Sequence, residues 1–322
     1  MAAAPPQPSA DAPRPRVVIL TGPTASGKTP IAIELAKRFD GEIVNADSMQ
    51  VFRYMDIGTA KPSPEQQAAA VHHMIDVVTP DSPYNAGRFA NDARTVLSDI
   101  HARGKVALLT GGTGLYIRAV TEGLLGDVDA DPGLRAELEA EHEQSLAEAD
   151  PHRLHRRLAS VDPKAAAAIH PNDVRRVVRA LEIHQQSGSA ASKLRDDHDF
   201  CERPYRTLHL AIDPGREVLK QRIDARCRAM LDAGLLKEVR ALRQRRFGPE
   251  LRPMQAIGYR HMNAVADGHD ILENALEAMQ RDTRHFARRQ RTWLRAIPDV
   301  RWRHPEQLDA LFAEVDEFLT DD

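Results

Sequence analysis

Cysteine is scarce. The 322-residue chain has two, Cys201 and Cys227, and they form no C-x-x-C spacing. That argues against a disulfide framework and a cysteine-based zinc module, and suits a reducing compartment. No base partner for either thiol is visible in the sequence, so both read as structural. Long apolar runs are also missing: none approaches the ~18 residues of a membrane span. The opening "MAAAPPQPSADAPRPR" has no apolar stretch of the kind that a secretion signal carries. A cytoplasmic protein without membrane contact is expected. Charge of one sign is lacking as well, since 44 Lys and Arg nearly balance 47 Asp and Glu, for a net −3. No global field draws the chain to nucleic acid, so a nucleic-acid reader would need a local basic patch.

What is present is an α/β pattern. Length suggests roughly two domains, or one with a large insertion. Residues 1–15, rich in Pro and Ala, read as a disordered tail. "RVVILTG" (16–22) is a short apolar strand, and "KTPIAIELAKRF" (28–39) has helical spacing, with Ile31, Leu35 and Phe39 on one face. "GEIVNADSMQVF" (41–52) predicts a second strand ending at Asp47. A helix over 87–104 and a strand, Gly-rich turn and helix over 105–120 follow. The alternation indicates parallel strands. Ligand sites in such sheets lie beyond the carboxyl ends of the strands, which is where Gly22–Thr29, Asp47 and Gly111–Gly114 should sit.

From about Asp127 no strand signal appears until about Leu208. Residues 127–150 carry nine acidic groups against one base, Arg135, and 152–179 carry seven Lys/Arg against Asp162 and Asp173. Both stretches are helical in pattern. The expected organisation is a P-loop NTPase-like α/β core, a parallel sheet built from 16–126 and 203–322, with a helical insertion over 127–202. "RTLHLAID" (206–213) reads as a returning core strand, 218–243 as a helix interrupted near Gly234, and 274–295 as a strongly basic helix. No internal repeat is visible.

"TGPTASGKTP" (21–30) fits G-x-x-x-x-G-K-[ST] through Gly22, Gly27, Lys28 and Thr29. A glycine-rich turn aims successive N–H groups into one concavity, and the helix N-terminus adds partial positive charge. Gly22, Pro23, Thr24, Ala25, Ser26, Gly27, Lys28 and Thr29 are therefore candidate phosphate-binding residues, with the Thr29 hydroxyl a candidate Mg²⁺ ligand. The reaction is not named by the loop. Nucleotide hydrolases also hold Mg²⁺ with an acid at the end of an apolar strand. The strand at 106–110 ends in "TGGTGLY" without one, which counts against ordinary ATP hydrolysis. Pro30 is unusual after the loop threonine, but its missing N–H loses no bond in a first helical turn.

With that loop, "DSMQVFRYMDIGTAKP" (47–62), "GGTGLY" (111–116) and "TRHFARRQRTW" (283–293), the sequence resembles the bacterial tRNA dimethylallyltransferases, also called tRNA isopentenyltransferases. "HPNDVRRVVRALEIH" (170–184), "RIDARCRAMLDAGLLKEV" (222–239) and "QAIGYRH" (255–261) fit the same family in order. Phe52 stands where tyrosine is commoner. The resemblance implies transfer of a dimethylallyl group from dimethylallyl diphosphate to N6 of the adenosine beside the anticodon. The tRNAs are those reading codons that begin with U, and diphosphate leaves with the help of Mg²⁺. It implies that the loop cradles a leaving diphosphate. It implies three catalytic residues: Asp47 as the group accepting the amine proton, Arg226 on the diphosphate, and Thr113 near the reacting centre. Asp47, Ser48, Met49, Gln50 and Thr113 would meet the target base, and Arg135 with Arg175, Arg176, Val177, Val178 and Arg179 would contact tRNA. A monomer is expected.

Plainer readings stand beside these. Asp47 could simply cap the next helix, since Asp is a favoured N-cap. Arg226 alone would be an ordinary helix arginine. The six arginines of 281–295 could be a solvated helix face or a track for RNA phosphates. Asp56 could reach Mg²⁺ or serve its turn, and His72 and His73 read as structural. Three rival functions are weighed. An adenylate isopentenyltransferase would not need the insertion. An ATP-dependent small-molecule kinase should carry a nucleotide lid. A passive RNA-binding module would have no use for a diphosphate cradle.

Overall fold

The computed structural model describes residues 14–124, 131–198 and 202–321. The tail over 1–13 and Cys201 lie outside them. The chain forms two compact units: one runs up to Thr121 and resumes at Pro204, and the other is Glu122–Arg203. The second is a few residues wider than the 127–202 expected.

The first unit opens with β1 (Arg16–Thr21), α1 (Lys28–Arg38) and β2 (Gly41–Ala46). α2 (Pro64–Ala69), β3 (His72–His73), α3 (Ala86–Ala102), β4 (Val106–Gly111) and α4 (Gly114–Glu122) follow. In β1, β2 and β4 every residue after the first is buried. Such continuous apolar runs belong to parallel strands covered on both faces. β2 stops at Ala46, one residue short of the expected end, because Asp47 turns the chain. α1 buries Ile31, Ala32 and Leu35 against the sheet, and Pro30 sits in its first turn as expected.

The second unit holds α5 (Pro132–Ala147), α6 (Arg153–Val161), α7 (Pro163–Ala168), α8 (Val174–Ser187) and α9 (Ala191–His198). Its described residues form no strand. It has its own core, with Leu138, Leu154, Leu158 and Leu181 almost fully buried. Val177 and Val178 belong to that core, at 1% and 2% exposed. This corrects their expected place among the tRNA contacts, because their side chains face the neighbouring helices. A buried Asp162 joins α7 to α9, accepting from Ala165 N at 2.9 Å and from Ser192 N at 2.8 Å.

The chain returns to the first unit with β5 (Arg206–Ile212), α10 (Arg216–Asp232) and α11 (Leu235–Gln244). Gly234, in the left-handed region at φ 99°, makes the expected break between the two helices. α12 (Tyr259–Ala266), α13 (Leu272–Arg295), β6 (Arg301–Arg303) and α14 (Leu308–Thr320) complete it. The sheet has six strands in the order β3-β2-β4-β1-β5-β6, all parallel. β2, β4 and β1 are therefore adjacent, and their carboxyl ends deliver Asp47, the Gly-rich turn and the phosphate loop to one edge.

Candidate active site

The phosphate loop joins β1 to α1. Gly27 stands before the helix at φ 94°, a conformation that favours glycine, and offers no side-chain cap. The first-turn N–H groups of an α-helix have no intrahelical acceptor, so those of α1 stay open to an anion. Ser26 N donates to Pro23 O at 3.1 Å and closes the turn. Arg222 reaches Ser26 O at 3.3 Å, and Arg226 reaches the Thr24 hydroxyl at 3.4 Å. Two arginines of α10 thus line up on the loop.

The second Gly-rich turn is tied to the first by a residue of α13. Gln290 accepts from Thr24 N at 2.8 Å and donates to Gly112 O at 2.9 Å. A Cβ on Gly112 would come within 2.3 Å of the Gln290 amide nitrogen, so a larger residue there would displace Gln290. Gln290 is buried at 7% exposed. It shares the inward stripe of α13 with Met279, Ala287 and Leu294. A glutamine on that apolar stripe is the signal that marks it in the sequence, beside the more conspicuous arginines.

The two oxygens of Asp47 differ in their partners, and no helix follows directly for Asp47 to cap, since the next one is α2. Oδ1 accepts from Met49 N at 2.8 Å and Gln50 N at 3.3 Å, which fixes the turn after β2. Oδ2 has no hydrogen-bond partner among the described residues. Thr113 holds the same turn from the other side, accepting from Ser48 N at 3.0 Å and donating to Ser48 Oγ at 3.3 Å. Its hydroxyl is engaged with the turn.

Gln50 is braced at a distance. Its amide donates to the carbonyls of Thr59 and Ala60 at 3.0 and 3.1 Å. That loop is itself held by Glu238 of α11, whose carboxylate accepts from Asp56 N, Ile57 N and Gly58 N at 3.0, 2.7 and 3.1 Å and from the Tyr259 hydroxyl at 2.6 Å. The Asp56 carboxylate pairs with Lys61 at 2.5 Å, which favours its turn role. Neither Glu238 nor Lys61 carried a local sequence signal.

Lys28, Thr29, Asp47, Gln50, Arg226 and Gln290 line one cleft, with the partly exposed ring of Phe286 at its side. Lys28 and Arg226 make no ion pair among the described residues; the nearest polar contact of Lys28 is Pro23 O at 3.4 Å. Burial, and then the charge of Arg226, pull the Lys28 ammonium down to about 8, with Asp47 opposing. Burial also lowers the Arg226 guanidinium, again opposed by Asp47. Two cations and one carboxylate therefore sense each other across the cleft without neutralising each other. Neutral His72 closes part of the wall, its Nδ1 donating to Ala70 O at 2.7 Å. Among the described residues no group of three or more His, Cys, Asp or Glu could hold a metal. A hard cation that takes most of its oxygens from phosphate and water, with Thr29 beside it, fits this donor set.

The tRNA-contact candidates of the insertion divide in two. Arg135 and Arg179 both pair with the buried Glu182 of α8, at 2.7 and 2.9 Å. Arg175 and Arg176 are exposed, and Arg176 has a 3.4 Å contact with Asp173. The six arginines of 281–295 divide likewise. Arg281, Arg284 and Arg291 pair with Asp282, Asp224 and Asp213. Arg288, Arg289 and Arg295 are exposed and make no ion pair among the described residues.

The IPP transferase family model matches residues 50–297, and the isopentenyl transferase model matches 15–76. A tRNA dimethylallyltransferase of Desulfosudis oleivorans is 49% identical over 90% of this chain and 91% of its own. One from Syntrophobacter fumaroxidans is 46% identical over 93% of this chain and 86% of its own. Among solved structures, the tRNA isopentenylpyrophosphate transferase of Bacillus halodurans superposes with a TM-score of 0.70 at 38% identity, covering 94% of this chain and 96% of that one. A eukaryotic dimethylallyltransferase acting on tRNA gives 0.79 at 29% identity, over 95% and 80%. The chain belongs to the IPP transferase family, the tRNA dimethylallyltransferases.

Proposed function

We propose that the chain transfers a dimethylallyl group from dimethylallyl diphosphate to N6 of the adenosine next to the anticodon, in tRNAs that read codons beginning with U. The observation that carries this reading is the set of unpaired charges in one cleft: Lys28 and Arg226 on the phosphate-loop side, and the free oxygen of Asp47 opposite. In the reaction the N6–C1 bond forms, the C1–O bond to diphosphate breaks, and one amine proton passes to Asp47 Oδ2. An aryl amine is a weak nucleophile, so orientation and proton removal are what the protein can add. Fixed cations where negative charge builds on the leaving group lower the barrier further. Lys28, Arg226 and the open N–H groups of α1 fill that role. Gln290 keeps the two Gly-rich turns in register while the charge shifts. Mg²⁺, held by the diphosphate and Thr29, would add countercharge.

An anticodon loop is single-stranded, so its adenosine can leave the stack without breaking a duplex. Arg175 and Arg176 of the insertion, and Arg288, Arg289 and Arg295 of α13, are the cations left for RNA phosphates. No described helix is long and apolar enough to cross a membrane, and a cytoplasmic monomer is proposed. The test is single-turnover transfer from labelled dimethylallyl diphosphate, with an anticodon stem-loop and AMP offered together. Label in the RNA is expected. Label in AMP alone would move the chain to the cytokinin-forming relatives and leave the insertion unexplained.

A further inference from the structure

Two buried polar atoms at the floor of the cleft have no partner. They are Oγ1 of Thr110, near the end of β4, and Nδ2 of Asn45, near the end of β2. The residues are 6% and 8% exposed, and neither atom has a hydrogen-bond partner among the described residues. They are neighbours in register, Asn45 opposite Thr110, and both line the cleft that contains Lys28 and Thr29. Leaving such a group unpaired is costly, and an unsatisfied polar atom in a fold calls for a reason. Nothing on the surrounding elements supplies one. His72 is already engaged with Ala70, and Asp47 is the one carboxylate among the residues lining the cleft.

The position supplies the reason. β4 lies directly beside β1, with Thr110 opposite Leu20, one residue before the end of each strand. In nucleotide hydrolases the apolar strand that accompanies the phosphate loop ends in an acid that holds Mg²⁺. Here that strand end carries a hydroxyl, and the next strand carries an amide. We propose that Thr110 and Asn45 form an uncharged floor for the hydration shell of a divalent cation that enters and leaves with the diphosphate, an inference that rests on the prenyl-transfer reading above. Mg²⁺ gives up its waters reluctantly and commonly keeps several. A threonine hydroxyl can accept from such a water, and an amide N–H can donate to a phosphoryl oxygen. A neutral floor has little affinity for the cation alone, so the metal is bound as its diphosphate complex and is released with the product.

Calorimetric titration of inorganic diphosphate, with Mg²⁺ and again with EDTA, tests the floor, together with Mn²⁺ binding read by its electron paramagnetic resonance signal. Wild type should bind diphosphate more tightly with Mg²⁺, and should hold Mn²⁺ only when diphosphate is present. Thr110→Val should weaken diphosphate binding in Mg²⁺ by ~10-fold, the size of effect seen when an outer-shell partner of a metal is removed, and leave binding in EDTA unchanged. Thr110→Ser, which restores the hydroxyl, should recover it. Thr110→Asp should hold Mn²⁺ without diphosphate. Equal weakening of Thr110→Val in both media would make Thr110 structural and overturn the proposal, as would no weakening in either. A wild type that binds diphosphate equally well in both media overturns this proposal alone. A wild type that binds no diphosphate overturns the phosphate-loop reading with it.

Discussion

The cleft and the insertion treat charge in opposite ways. In the insertion, Glu182 is fully buried and both of its oxygens are engaged, with Arg135, Arg179 and Asp131 N. Burial alone would raise its carboxyl, and the hydrogen bonds from Arg179, Arg135 and the Asp131 amide outweigh that and lower it. In the cleft, Lys28 and Arg226 have no acid in contact and Asp47 keeps one oxygen free. The first pattern is a closed network that holds helices together. The second leaves electrostatic work undone until a ligand arrives. An arginine in a recognition run can belong to either, and what separates them is the partner it already has.

The largest effect expected on this contrast is at Asp47. Asp47→Asn keeps an oxygen to accept from Met49 N and Gln50 N but cannot take a proton. Single-turnover transfer should slow by ~10²–10⁴-fold, the range for a missing general base, with the melting temperature and stem-loop affinity near wild type. If Asn transferred at the wild-type rate and Ala did not, Asp47 would be a turn residue only.

Lys28 comes next. Lys28→Ala should slow transfer by about 10²-fold, as for the loss of one fixed charge on a leaving group. Wild type adds a pH signature. The ammonium is the form that binds an anion, and it lies near 8 in the free protein rather than at its usual 10.5. Diphosphate affinity should therefore be full below about pH 7 and fall as pH rises through about 8. Lys28→Arg should flatten that profile. An unchanged profile in Lys28→Arg would assign the titration to another group.

Breaking the closed network should act on stability instead. Glu182→Gln leaves Arg135 and Arg179 without their carboxylate and should destabilise the insertion by ~3 kcal/mol, the low end for a broken buried pair. Its folded carboxyl is lowered, so its stabilisation is present above the ordinary carboxylate range and is lost as pH falls through the folded value. Thermal unfolding of wild type and variant should converge in acid while diphosphate binding at neutral pH is retained. Loss of diphosphate binding in the variant would contradict the division between the two regions.

The smallest effect is expected at the surface of α8. Arg175→Ala with Arg176→Ala should weaken stem-loop binding several-fold and reduce its salt slope by roughly 1.5, about 0.7–0.9 for each phosphate that is no longer neutralised. Leaving Arg179 intact matters, because its removal would also take away one of the two arginines paired with Glu182. A slope identical to wild type would move the RNA off this face.

Much of this was legible locally. β1, β2, β4 and β5 announce themselves as apolar runs, and the phosphate loop as a pattern of four residues. β3 and β6 do not, because His72–His73 and Arg301–Arg303 are two and three residues long at the sheet edges and show no apolar run. The braces of the site were hidden for a different reason. Gln290 lies 266 residues from Thr24 and 178 from Gly112, and Glu238 lies about as far from the loop it holds. No short-range signal encodes such pairings. Val177 and Val178 show the opposite error, since helical spacing with Val174 and Leu181 already placed them on an inward stripe, and membership of an arginine-flanked run overrode it.

The most direct test of the account is the stoichiometry of the leaving group. Diphosphate and orthophosphate release would be counted against prenylated adenosine, with dimethylallyl diphosphate, stem-loop and ATP all present. One diphosphate is expected for each transfer, with no orthophosphate from ATP. Orthophosphate release that tracks ATP consumption, with the stem-loop unlabelled, would contradict it and make the phosphate loop that of a nucleotide hydrolase.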